Sequence, residues 1–116
     1  MTNLRVFDLE EALDHVGGEH SLLVEVAQTC LSDYEEALVQ IRAALKASDG
    51  KQLEKTAHKL KGSLLTLAAY AASDAAQSLE NLGNEGIPRD AGEALSRLEN
   101  EMKSLTTALE SLLASL

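Results

Sequence analysis

The sequence predicts an all-α protein, an antiparallel four-helix bundle with an additional short N-terminal helix. Three observations lead there. Aromatic residues make up only 3% of the chain and its apolar residues are mainly Leu and Ala, which suits helices packed along their lengths and argues against a sheet. The one proline and most of the seven glycines fall at places that read as junctions. Between those junctions, apolar residues recur at alternating steps of three and four, the spacing of a helix with one packed face. At 116 residues the chain suffices for one modest core, so residues 1–116 are expected to form a single domain without a linker or tail.

In chain order, Asp8 followed by Glu11 forms a capping box for a short helix through about Val16, which Gly17-Gly18 terminates. His15 reads as a last-turn residue, and His20 as a surface residue at the start of the next helix. From about Glu19 to Ala47 the stripe Leu23, Ala27, Cys30, Tyr34, Ala37, Ile41 and Leu45 describes one long helix, with Ser32-Asp33 a candidate bend. Cys30, the only cysteine, falls on that stripe and reads as a small core residue. Asp49, after the Ser48-Asp49-Gly50 junction, is placed to cap a helix reaching about Tyr70. Ala71-Ala72-Ser73-Asp74 reads as a break and restart. Ala72, Ala75, Ala76, Leu79 and Leu82 then form an alanine-rich face, and Gly83 and Gly86 bracket a loop. Pro88 opens the last helix, whose stripe runs through Leu95, Leu98, Met102, Leu105, Leu109, Leu112 and Leu116. Four stripes can satisfy one another within one chain, which favours a bundle over a coiled-coil dimer.

The stretch that carries chemistry is Ala57-His58-Lys59-Leu60-Lys61-Gly62-Ser63. At about 100° per residue, Leu53, Ala57, Leu60, Leu64 and Leu67 share a stripe about 80° wide, and His58 lies about 140° from its centre. His58 should therefore point into solvent. Gly62 lies almost opposite the stripe, where glycine costs about 1 kcal/mol against alanine and gives the core nothing. A surface cleared at Gly62 leaves room for a bulky group on His58 and for a second protein approaching it. Lys55 and Lys61 flank His58, and Lys51 and Lys59 extend a basic strip. From Lys51 to Lys61 there are four basic residues and one acid, whereas the rest of the chain holds six basic residues and eighteen acids. The group to be accommodated is expected to be an anion. An exposed imidazole is largely neutral near pH 7 and can attack phosphorus; the product carries about −1.5 to −2 charges, which Lys61 and Lys55 could partly offset.

These residues resemble the signature of histidine-containing phosphotransfer (HPt) domains, A-H-x-L-K-G-S followed by small residues and then [LIV]-G-A. Val16-Gly17-Gly18-Glu19 leading to Leu22-Leu23 is similar to the same family's approach to its first long helix. The resemblance implies a bundle fold and a phosphorelay role. A phosphoryl group would pass from a receiver-domain aspartyl phosphate to His58 and on to another receiver, with Mg²⁺ and most of the catalytic apparatus belonging to the receiver and no cofactor on this chain. It further implies that Lys61 lies near the phosphate, that Gly62 opens the surface, that Leu60 is core, that Ser63 is the family serine, and that Glu80 holds the unreacted imidazole nitrogen. Two departures stand out. Leu64 and Leu65 replace small residues, Leu65 being expected on the His58 face as part of an apolar docking patch. Ala68 replaces a glycine, which implies a slightly wider helix contact.

Composition narrows the alternatives. A net charge of −9 weighs against nucleic acid and anionic membrane surfaces. No apolar run approaches the roughly 18 residues of a membrane span, and no signal-peptide pattern opens the chain, so a cytoplasmic protein is expected. An autonomous kinase would need a Gly-rich nucleotide loop, and a di-metal bundle a repeated Glu-x-x-His pattern; the chain has neither. The remaining alternative is a docking module that binds receiver or kinase domains while His58 is never phosphorylated. The phosphoacceptor domain of a chemotaxis-type kinase is a variant of the favoured reading. The opening Gly-Gly motif and a span from Met1 to Leu116 favour a free-standing relay module, or one cut from a hybrid sensor histidine kinase. A monomer with small transient interfaces is expected.

Overall fold

A computed structural model describes residues 6–86 and 91–115, and five helices account for nearly all of them. They are α1 (Leu9–His15), α2 (His20–Ala47), α3 (Gly50–Thr66), α4 (Tyr70–Glu85) and α5 (Ala91–Ser115). The expected start of the last helix at Pro88, and Leu116 of its stripe, lie outside the described residues. Cross-helix contacts fix the arrangement as antiparallel: Gly50 at the start of α3 meets Gly83 near the end of α4, and Arg42 late in α2 binds Glu99 early in α5 at 2.6 Å.

The expected stripes meet in one core. Leu23, Ala27, Cys30 and Ile41 of α2, Leu53, Ala57, Leu60 and Leu64 of α3, Ala72, Ala75, Ala76 and Leu79 of α4, and Leu98, Met102, Leu105 and Leu109 of α5 are all buried. Tyr34, Ala37 and Leu45 of the α2 stripe are only partly buried, and Ala44 takes the interior position beside Leu45. Cys30 is 1% exposed; burial, with the charge of Asp33 adding to it, pushes its thiol up to about 11, so it stays protonated and inert.

Local chemistry explains most boundaries. Asp8 caps α1 by accepting the Glu11 amide at 3.1 Å. Gly17 and Gly18 then adopt φ of +68° and +78°, which allows the reversal into α2. Helix α2 is continuous for 28 residues through Ser32-Asp33. Asp49 caps α3, accepting the Gln52 amide at 3.1 Å.

Two boundaries differ from expectation. Helix α3 stops at Thr66, and the turn is Leu67–Ala69, before the predicted break at Ala71–Asp74. The stop is Ala68, buried and left-handed at φ 55°. It therefore replaces a glycine in a turn and not at a helix contact. Gly83 is also not a loop residue; it is buried inside α4, and the helix ends at Gly86, φ +94°. The reason for Gly83 is the crossing with α3. A Cβ there would fall 2.6 Å from the Gly50 carbonyl oxygen and 2.6 Å from the Glu54 amide nitrogen.

Helix α1 closes the other end of the α3–α4 pair. Asp8 donates its amide to the Ala68 carbonyl at 3.2 Å, His15 Nδ1 contacts the Thr66 carbonyl at 3.0 Å, and the Tyr70 hydroxyl donates to Glu11. Phe7, Ala12 and Val16 complete the core there. Thus α3 and α4 are held at both ends, by glycine contact below and by α1 above.

Candidate functional site

Between those ends, the outward faces of α3 and α4 run in antiparallel register, so that each turn forward on α3 meets a turn backward on α4. His58 and Lys61 consequently reach Glu80 and Gln77. His58 projects with 68% of its side chain exposed, and its Nδ1 lies 3.1 Å from Glu80 Oε1. Lys61 Nζ lies 3.0 Å from the same oxygen and donates to Gln77 Oε1 at 2.8 Å. Gln77 Nε2 in turn donates to Asn81 Oδ1 at 2.8 Å. The side chains of Lys61 and Glu80 are each only 19% exposed, so this ion pair forms the partly buried base on which the histidine stands.

Charge determines the state of the ring. A carboxylate can only accept, so the neutral imidazole facing Glu80 carries its proton on Nδ1. That leaves the lone pair on Nε2. For Glu80, burial pushes the carboxyl up, but hydrogen bonds from Lys61 and from His58, with the charges of both, more than reverse this and hold it below the usual carboxylate range.

A group with a lowered folded pKa contributes stability that is present above its unfolded pKa and is lost as the pH falls through its folded value. Wild type should therefore exceed Glu80→Gln in melting temperature at neutral pH. The difference should fade as the pH drops below about 4.3, the ordinary glutamate value. Thermal melts between pH 7 and pH 2 measure it; a difference that does not change with pH would contradict the assignment.

The other expected site residues separate into two groups. Gly62 is exposed and a Cβ built on it meets nothing within 4 Å, so the opening beside His58 serves no packing need. Leu65 is 41% exposed. Lys55, Lys59 and Ser63 do not join the Glu80 cluster. They line a groove of about 280 Å³ between α2 and α3, whose α2 wall carries Asp33 and Glu36. The basic strip is therefore divided, with Lys61 paired to Glu80 on one flank and Lys55 and Lys59 facing α2 acids on the other.

Sequence reasoning missed Gln77 and Asn81. Their signal was available, because Gln77, Glu80 and Asn81 are spaced by three and four and share one face of α4. Among the described residues no group of three or more His, Cys, Asp and Glu side chains is placed to hold a metal ion. No described helix is long and apolar enough to cross a membrane.

Comparison with known proteins identifies the fold and the family. The fold is similar to that of histidine-containing phosphotransfer protein B (HptB) from Pseudomonas aeruginosa PAO1, at a TM-score of 0.88 and 22% identity over 96% of each chain. It is also similar to the HPT domain of a hybrid sensor histidine kinase from Shewanella, at 0.84 and 21% identity over 98% of each chain. No curated protein matches the chain. The Hpt domain family model matches residues 25–113, which include every member of the His58 cluster. The chain belongs to the Hpt domain family, whose role is histidine phosphotransfer within a phosphorelay.

Proposed function

We propose that His58 is the phosphoacceptor and that this chain relays a phosphoryl group between receiver domains. The observation that carries the reading is an exposed imidazole whose Nδ1 is held by Glu80 while Glu80 is held by Lys61. In the forward step the Nε2 lone pair forms an N–P bond as the O–P bond of an aspartyl phosphate breaks, and the aspartate leaves as a carboxylate. No proton has to depart. The ring becomes a cation with its proton still on Nδ1, and the Glu80 carboxylate facing that proton stabilises it. Return transfer to a second receiver reverses the sequence.

Mg²⁺ and the remaining catalytic groups reside on the receiver in this reading. The chain's own contribution is to hold the ring, fix its tautomer and offer a cation, Lys61, beside the phosphoryl group. Lys55 and Lys59 act at longer range, and Leu65 supplies apolar contact to the docked receiver. The partners are response-regulator receiver domains, including those of hybrid sensor kinases, met in the cytoplasm by a monomer; the net charge of −9 disfavours nucleic acid.

The test is transfer of label from a panel of phosphorylated receivers, with binding measured in parallel. Transfer supports the relay, whereas binding without transfer across the panel supports the docking-module alternative. Gly62 provides a second check. Gly62→Gln should leave the bundle folded and slightly more helical, yet slow transfer at least tenfold by crowding the docked receiver. Transfer at the wild-type rate would remove the steric role of Gly62.

A further inference from the structure

The chemistry above leaves Gln77 and Asn81 without a part. We propose that Gln77 is a positioning residue for phosphoryl transfer: oriented by Asn81, it fixes Lys61 so that one ammonium serves Glu80 and the phosphoryl group together. The proposal rests on the reading of His58 as phosphoacceptor.

An ammonium has three hydrogens to donate. Lys61 directs one to Glu80 Oε1 at 3.0 Å and one to Gln77 Oε1 at 2.8 Å. Two anchors on α4 restrain the end of a flexible four-carbon stem, and the third hydrogen is left for a phosphoryl oxygen. With Glu80 as its only anchor, the ammonium would rotate about that contact and the third donor would lose its direction.

Gln77 performs this task only in one orientation. Turned over, its amide would present hydrogens to the lysine and repel it. Lys61 and Asn81 together favour that orientation, Lys61 by donating to Gln77 Oε1 and Asn81 Oδ1 by accepting from Gln77 Nε2 at 2.8 Å, one turn along α4. The sequence of contacts Asn81, Gln77, Lys61, Glu80, His58 thus begins on an exposed asparagine and ends on the reacting ring. A hydrogen bond between amides near the surface adds little to stability. Its consequence here is where a charge sits.

The test is single-turnover transfer from a phosphorylated receiver at varied receiver concentration, using wild type, Gln77→Met, Gln77→Glu, Lys61→Met and the double variant Lys61→Met with Gln77→Met. Circular dichroism melts establish that each is folded. Gln77→Met should lower the maximal transfer rate about tenfold and leave the half-saturating receiver concentration unchanged. Gln77→Glu, which keeps an oxygen for Lys61, should restore most of the rate. Read over longer times, the double variant should match Lys61→Met alone, because Gln77 acts through Lys61. A wild-type rate for Gln77→Met, or an additive loss in the double variant, would overturn the proposal while the relay stands. A wild-type protein that takes no label on His58 would overturn both.

Discussion

His58→Gln should abolish phosphoryl acceptance and leave the fold untouched. Glutamine has no nucleophilic nitrogen, so no N–P bond can form, whatever the docking geometry. The fold should not register the change, because 68% of the side chain is exposed and its partner among the described residues is Glu80 at 3.1 Å. Surface substitutions of this kind fall within about 0.5 kcal/mol, so the melting temperature should move by no more than about 4 °C. A fall of more than about 10 °C would mean that His58 supports the bundle and that its exposure has been misjudged. Unchanged label uptake would transfer the acceptor role to His15 or His20.

Gly83→Ala should clearly destabilise the bundle. The added Cβ would lie 2.6 Å from the Gly50 oxygen, 2.6 Å from the Glu54 nitrogen and 3.0 Å from the Glu54 Cα. All three atoms are backbone, so no side chain can rotate aside and the two helices must separate. Overpacking costs about 1 to 3 kcal/mol and occasionally more, against which alanine returns about 1 kcal/mol of helix propensity. Two backbone contacts at 2.6 Å place the cost at the top of that range, about 3 kcal/mol, so a net loss of about 2 kcal/mol, or about 8 °C in melting temperature, follows. Separating α3 from α4 also draws Glu80 and Gln77 away from His58 and Lys61, so transfer should slow as well. The same change at Gly62 has the opposite sign in stability. Gly62→Ala meets open space and should raise the melting temperature by a few degrees. If the two variants move together, the helix crossing is not where the structure puts it.

The comparison of these two glycines shows what a sequence makes legible. Gly62 declared itself because it interrupts a helix opposite a clear apolar stripe, and stripe geometry needs only spacing. Gly83 was misread as a loop residue because its reason lies on another helix, in the backbone of Gly50 and Glu54. The α3–α4 turn was placed late for a related reason. Ala68 carries the left-handed stop at φ 55°, and the family glycine it replaces suggested a helix contact because an alanine rarely takes that backbone. The caps at Asp8 and Asp49 were visible because capping is local chemistry, read within three residues.

At the site, His58, Lys61 and Gly62 were legible together on one helix, and the family resemblance suggested Glu80 across the helix pair. Which lysines join the cluster was not legible. Lys55 and Lys61 are symmetric about His58 in sequence, and only the position of α4 on one side and α2 on the other divides them. Gln77 and Asn81 went unread because neutral amides on a polar helix face resemble solvated surface until their partners are known.

The most direct measurement is nitrogen-15 NMR of the histidine rings, before and after phosphorylation by a receiver. Before transfer, the His58 ring should be protonated at Nδ1, with Nε2 bare and facing the partner. After transfer, phosphorus coupling should appear at Nε2 of His58, the proton should remain on Nδ1, and the signals of His15 and His20 should not move. A ring protonated at Nε2 in the free protein, or phosphorus attached to any other histidine nitrogen, would contradict the account of how Glu80 and Lys61 prepare this residue to react.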